Sequence, residues 1–383
     1  MAVTATVRKR TWVGPTGKPG QAWVVAYTDP KTGKRVEKQR KKKADAEALR
    51  QKVESQLVQG VHIAGKAPTV GEAADAYLTE FEELVEAEKR ERSTLRGYRI
   101  HYRLHLLQHQ IATRMLSELT GPDCVEFARW LESTRSDDMS KRVMFLLRTV
   151  LDYATGKGWI GHNPAASVKL VKAGDRFTAD DDEVEIPPKD QLKALIEAAQ
   201  ETGRMEDALV RILMFCGLRI SEARGLHTKR LDLKVGKVLV RERADRWNKI
   251  GPPKSKTSRR DVPVPPATAA ALKLWLGEIK MGGLVFPTGT GTPWLYGNLY
   301  NRVWLPLMAK AELLDAEGKP LFGFHTLRHV AVSLWIEQGL KPKRVSKLAG
   351  HSSVQFTMDV YGHLWPEDDE DQVMASKMEQ SLG

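Results

Sequence analysis

The chain has 383 residues, too many for one ordinary domain of roughly 100–200 residues, so two or three domains are expected. Its 60 Lys and Arg against 48 Asp and Glu give a formal charge of +12, which points to a polyanion, nucleic acid before an anionic membrane surface. No run of about 18 apolar residues is present to span a bilayer. The first residues lack the apolar core of a secretory signal. Two cysteines far apart in sequence, Cys124 and Cys216, exclude a disulfide scaffold and a Cys-based zinc site, and they fit a reducing cytoplasm.

Residues 1–62 read as a small separate unit. Trp23 to Tyr27 is a β-prone run, Thr28 to Lys34 is a turn punctuated by Pro and Gly, and a second strand at Lys34 to Gln39 would complete a hairpin. From Ala44 the pattern turns helical, with Ala46, Ala48, Leu49, Val53 and Leu57 on the inner face. Between Lys31 and Lys43 stand eight Lys or Arg and one Glu. Lys34, Arg35, Lys38, Arg40 and Lys41 belong to this run, and because they abut strands they are candidates for contact with a phosphate backbone.

Ile63 to Pro68 read as a linker. Thr69 with Glu72 three residues on is a capping-box pattern, and residues 63–173 read as all helix from there on. Leu95, Tyr98, Tyr102 and Leu106 form one apolar stripe. Arg92, Arg96, Arg99 and Arg103 recur at helical spacing and share another face, suited to DNA. His101, His105 and His109 are read as a polar helix face, since no Cys or acidic partner joins them as a metal ligand. Further helices carry Cys124, Phe127, Ala128 and Leu131, and then Val143 to Leu151. Residues 174–188, acidic and ending in two prolines, mark the clearest boundary. Residues 189–383 read as helices around two strands, at Gly236 to Arg241 and Arg260 to Val264, with a basic turn between them. In the tail, Val373, Met374, Met378 and Leu382 predict a short amphipathic helix.

Four short segments in the last part of the chain carry chemistry-bearing residues. They are Cys216 to Ala223 with Gly217-Leu218-Arg219 and Glu222, Lys254 to Arg260 with Ser255-Lys256-Thr257, His325-Thr326-Leu327-Arg328, and Leu348-Ala349-Gly350-His351. Tyr361 follows ten residues after His351. His325 and His329 mimic the frame of a zinc protease helix, but Thr326 and Leu327 leave no Glu base between them. Taken singly each segment is weak; their order and intervals together are the signal.

That ordered set resembles the tyrosine recombinases, or phage-type integrases, over about residues 185–365. The resemblance implies a multidomain α+β chain. Residues 1–62 would be an arm-binding sheet-plus-helix domain, 63–173 an all-helical core-binding domain, 174–188 a linker, and 189–383 a mainly helical catalytic domain with a small antiparallel sheet. It implies Arg219, Lys256, His325, Arg328 and His351 as catalytic residues, Glu222 in support, and Tyr361 as the nucleophile that forms a 3′-phosphotyrosyl bond to DNA. Ala349 departs from the commoner Leu of that motif. No metal or other cofactor is implied. The implied partners are double-stranded core and arm attachment sites and a homotetramer on DNA linked through its tails, with room for a host bending factor and an excision directionality factor, in a bacterial cytoplasm at the nucleoid.

The chemistry asks for these residue types. Charge builds on the non-bridging oxygens of a phosphodiester under attack, and guanidinium forks match those oxygens. A phenolate is both nucleophile and good leaving group, so the bond energy is kept for rejoining. A Lys on a hairpin can protonate the departing 5′-oxygen; Lys254 stands in the same turn, and family position selects Lys256. His325 would accept the tyrosine proton or orient the phosphate, and His351 would bond a non-bridging oxygen. A type IB topoisomerase and a non-catalytic DNA-binding regulator are the alternatives.

Overall fold

The computed structural model describes residues 5–13, 19–28, 35–58, 67–171, 184–279 and 283–365, without the side chains of Ser55, Gln56, Val58 and Lys256. Lys34, most of the turn and linker segments named above, and the amphipathic tail lie outside the described residues. The chain divides into two compact units, Met1–Arg176 and Phe177–Gly383.

The first unit opens with strands β1 (Thr6–Val13), β2 (Pro19–Thr28) and β3 (Arg35–Arg40), an antiparallel sheet in that order, followed by helix α1 (Lys43–Val58). Val25, Tyr27, Ala46, Val53 and Leu57 form its core. Alternation along a strand assigns each basic residue to a face. Arg40 pairs with Trp23 and Lys38 with Val25, on the face that α1 covers. Arg8 pairs with Val24 and Arg10 with Ala22 on the opposite face, where Arg35 also lies. Only part of the basic strand thus shares the open face, and β1, absent from the sequence reading, supplies the rest of its charge. Arg8 bonds Glu37 across that face at 2.6 Å.

Helices α2 (Val70–Glu86), α3 (Arg92–His101), α4 (Gly121–Thr134) and α5 (Asp137–Gly156) complete this unit. The capping box is formed: Thr69 Oγ1 accepts from the Glu72 N–H at 3.1 Å, and Glu72 returns a carboxylate to the Thr69 N–H at 2.7 Å. Such a cap contributes about 1 kcal/mol. Val143, Leu146, Leu147, Val150 and Leu151 are fully buried, each contributing roughly 1.5–3 kcal/mol by burial. Arg92, Arg96, Arg99 and Arg103 are all exposed, and Arg99 is ion-paired with Glu82 at 2.6 Å.

A π turn at Tyr102–Leu106 comes after α3 and changes the expected histidine face. The extra residue of a π turn rotates the later side chains about the helix axis. His105 is buried beside Leu106, and its Nδ1 accepts from Arg135 Nε at 3.0 Å. His109 Nδ1 accepts from the Ile111 N–H at 3.1 Å. Burial holds all three histidines below their ordinary pKa, with nearby arginines adding to it at His101 and His105.

The second unit begins with α6 (Lys189–Thr202), α7 (Arg204–Cys216) and the short α8 (Ile220–Arg224). Strands β4 (Leu231–Asp232), β5 (Lys237–Val240), β6 (Arg243–Ala244), β7 (Ile250–Gly251) and β8 (Arg260–Pro263) come next. β4, β5 and β8 form one antiparallel sheet, and β6 and β7 a second ladder inside the basic connection. Then come α9 (Pro266–Leu276), α10 (Tyr296–Leu299), α11 (Leu305–Lys310), α12 (Phe324–Glu337), α13 (Pro342–Ala349) and α14 (Val354–Tyr361). Helix α7 is the hub, packed by α6, α9 and α12. Its core includes Leu195, Ile212, Leu213, Leu272 and Trp304. A smaller cluster of Val332, Ile336, Val345, Ala349 and Tyr361 joins α12, α13 and α14. Among the described residues, no helix is long and apolar enough to cross a membrane.

Candidate active site

Two helices end side by side in left-handed glycines, Gly217 after α7 (φ 59°) and Gly350 after α13 (φ 66°). A Cβ at Gly350 would sit 3.0 Å from Arg260 Cδ, so the turn also needs the space. These helix ends present backbone carbonyls, the negative pole of each helix, to three arginines. Arg328 donates to the Gly217 carbonyl at 2.7 Å and to that of Ala349. Arg260 donates to Leu348 O at 2.6 Å and Gly217 O at 3.3 Å. Arg219 reaches Gly350 O at 3.2 Å.

Glu222 binds two of these arginines. Arg260 meets it through both terminal nitrogens at 2.9 Å each, and Arg219 donates to it at 2.9 Å. Glu222 Oε2 also accepts from the backbone N–H of Arg219, which caps α8. Burial disfavours the charged carboxylate, but Arg260, Arg219 and Arg328 outweigh it and hold Glu222 below its ordinary pKa. Arg328 is pulled below its ordinary value by burial and by the charges of Arg219 and Arg260.

Tyr361, the last residue of α14, is 1% exposed. Its hydroxyl lies 2.6 Å from His329 Nδ1. Burial pushes the phenol up to about 12, against the pull of Arg328. The His351 ring lies parallel to that of Tyr361, 7° apart with centroids at 6.0 Å, and its Nδ1 pairs with Thr357 Oγ1 at 2.9 Å. Burial, then Arg328, Arg219 and Arg260, lowers His351 to about 3. His325 sits one turn before His329 on α12, exposed, with its ring edge-on to that of His329 at 4.8 Å. Protein packed around it and the charges of Arg328 and Arg219 keep His325 below its ordinary value.

A cleft of about 400 Å³ opens at this place, lined by Arg219, Arg243, Lys254, Ser258, Gly350 and His351 among others. Lys256 starts a single 3-10 turn, Lys256–Ser258, next to it in the chain; its side chain is outside the described residues. Arg219, Glu222, His325, Arg328, His351 and Tyr361 therefore converge from separated stretches of sequence. The sequence reading placed Arg260 at the end of a marked segment but gave no site role to it, to Thr357 or to a contact between His329 and Tyr361. Each had a signal: Arg260 ends the basic turn, Thr357 lies one turn before Tyr361, and His329 stands directly after Arg328.

Residues 187–367 match the phage integrase family. Over 389 aligned residues the chain is 25% identical to the tyrosine recombinase XerC-like protein of Caldanaerobacter subterraneus subsp. tengcongensis, covering 94% of this chain and 96% of that one. It is 28% identical over 282 residues to tyrosine recombinase XerC of Rhodospirillum centenum, covering 69% of this chain and 75% of that protein. Two solved structures share the fold. The Tn1549 transposon integrase in complex with a circular intermediate DNA matches with a TM-score of 0.64 at 20% identity, covering 82% of this chain and 100% of that one. A lambda integrase dimer bound to a COC′ core site matches with a TM-score of 0.57 at 16% identity, covering 94% and 97%. The motif order, the arrangement of these side chains and the family match agree: residues 187–367 form a domain of the phage integrase family.

Proposed function

We propose that the protein is a site-specific integrase that cuts and rejoins DNA through a 3′-phosphotyrosyl intermediate and a Holliday junction, moving a phage or other mobile element. The observation that carries this reading is a buried tyrosine hydroxyl set beside an arginine cluster whose members are fixed by one carboxylate and by helix-end carbonyls. Guanidiniums held this way are preorganised for the charge that develops on a phosphorane, with no reorganisation at the moment of reaction.

In this mechanism the scissile phosphate enters the cleft beside Arg219 and His351. Arg219 and Arg328 clamp its non-bridging oxygens, His351 and His325 orient it, and Glu222 holds the arginine geometry. Tyr361 attacks phosphorus as its hydroxyl proton passes to a neighbouring histidine, the bond from phosphorus to the 5′-oxygen breaks with a proton from Lys256, and a phosphotyrosyl bond stores the energy for rejoining. No metal is needed in this scheme. The arginine face of α3 would track the core-site backbone. The open face of the N-terminal sheet, with Arg8, Arg10 and Arg35, suits an arm site, since a β-ribbon fits the major groove.

Residues 1–62 would thus hold the arm site, and 63–173 and 189–383 would each contact the core site. The assembly would be a tetramer on paired sites in the bacterial cytoplasm, like the lambda integrase tetramer solved on a Holliday junction. A host bending factor and a directionality factor would act on the same DNA. Similarity to a XerC-like recombinase along 94% of the chain favours recombination over topoisomerase action.

The test is a nicked attachment-site DNA that traps the covalent adduct. Wild type should give an adduct mapping to Tyr361, and Tyr361→Phe should give none while binding DNA with nearly unchanged affinity. An adduct with the Phe variant overturns the nucleophile; relaxed circles without recombinants would favour the topoisomerase reading.

A further inference from the structure

We propose that His329 is the base that takes the Tyr361 proton as the strand is cut and returns it as the strand is rejoined. This rests on the reading of Tyr361 as nucleophile. It adds a catalytic residue to the set and leaves His325 to the phosphate.

The geometry singles out His329. Its Nδ1 is 2.6 Å from the Tyr361 hydroxyl, within the range a proton acceptor needs. At 1% exposure, Tyr361 has little access to water that could do the same work. The two other histidines of the site are turned to other groups. His351 Nδ1 is committed to Thr357, and His325 touches the ring of His329 from its outer side, where solvent reaches it.

With its own proton on Nε2, neutral His329 accepts the Tyr361 O–H at Nδ1. As the Oη–phosphorus bond forms, the O–H bond breaks and its proton becomes the Nδ1–H of an imidazolium. The phosphorus–O5′ bond breaks at the same time, and the leaving oxygen takes a proton from the general acid. Rejoining reverses each transfer, so the cycle closes with no outside reactant.

The surroundings also tie this proton transfer to substrate. The groups facing His329 are His325 and Arg328 on its own helix, Tyr361 on α14, and His351 between α13 and α14. Burial, then His325 and Arg328, lowers His329 to about 4, while Tyr361 is pushed up to about 12. Without DNA the proton therefore stays on the tyrosine. A phosphate anion beside Arg328 raises the basicity of His329, so the base is strengthened where a phosphate is bound.

The test is single-turnover cleavage of nicked DNA by the full chain carrying His329→Gln, which keeps a hydrogen-bond acceptor but takes no proton. We expect normal DNA binding and adduct formation slowed by about 10²–10⁴-fold. The residual rate should climb tenfold per pH unit between about pH 7 and 10, because hydroxide must replace the base, whereas the wild-type profile is flat there. Replacing Tyr361 by a more acidic fluorotyrosine should recover cleavage in the Gln variant. His329→Asn, checked by thermal unfolding, serves if the Gln variant does not fold. Cleavage within about threefold of wild type, or a loss with no change in pH slope and no fluorotyrosine recovery, overturns the base. An adduct from Tyr361→Phe would instead overturn the nucleophile.

Discussion

Arg260 grips Glu222 by both carboxylate oxygens, at 2.9 Å each, with side chains only 1% and 2% exposed. Removing one partner leaves the other as a buried, unpaired charge. Arg260→Met should therefore destabilise the protein by about 3–5 kcal/mol in urea unfolding. The double variant Arg260→Met, Glu222→Met should recover much of that loss. It should still fail to cleave DNA, since Arg219 no longer has its carboxylate. A single variant as stable as wild type would contradict the pair's place in the fold.

Glu222 also sets a pH dependence. Its folded-state pKa lies below the ordinary carboxylate value, so the folded state binds a proton less readily than the unfolded chain. Its contribution is complete at neutral pH, begins to fall below the ordinary carboxylate range, and is lost as pH drops through the folded value. Unfolding midpoints against pH should therefore fall more steeply on the acid side for wild type than for Glu222→Gln. Parallel curves would mean that Glu222 is not ionised in the folded protein.

Arg219→Lys and Arg328→Lys should each cost about 3 kcal/mol or more in the cleavage step, because an ammonium cannot reproduce a planar fork. Binding to attachment-site DNA should change far less. A near wild-type cleavage rate in either variant would remove that arginine from the phosphate clamp.

Gly350→Ala should cost roughly 1–2 kcal/mol of stability for the left-handed backbone alone. The new methyl would also press on Arg260. Because the Ala349 and Gly350 carbonyls hold Arg328 and Arg219, cleavage should fall further than the stability loss explains. Comparing unfolding midpoint with cleavage rate at one temperature separates the two effects.

The helical framework was legible because apolar residues recur at helical spacing. Leu95, Tyr102 and Leu106, and Val143 to Leu151, read and fold as inner faces. The capping box at Thr69 was equally readable, since it depends on two residues at a fixed interval. β1 was not, because Thr6–Val13 is an edge strand exposed along almost its whole length and shows no apolar alternation. The β6–β7 ladder is two residues wide and is closed by Asn248 at φ 63°, which leaves no hydrophobic trace. In the site, the residue types that face substrate chemistry could be read in order. Arg260 and His329 stand beside those motifs in the sequence, but their roles come from partners 38 and 32 residues away and show only in the fold.

The arginine cluster has a consequence for folding itself. Arg219, Arg260 and Arg328 bring three positive charges, and Glu222 returns one negative. The pole of each helix end softens the remaining repulsion without cancelling it. The native state is thus most at ease with an anion in place, so the substrate's phosphate acts as a missing structural part. By mass action, sulfate or phosphate should raise the unfolding temperature as its concentration rises, by an amount that grows as the logarithm of concentration over Kd. DNA binding and thermal endurance of the catalytic unit are then two readings of the same unmet positive charge.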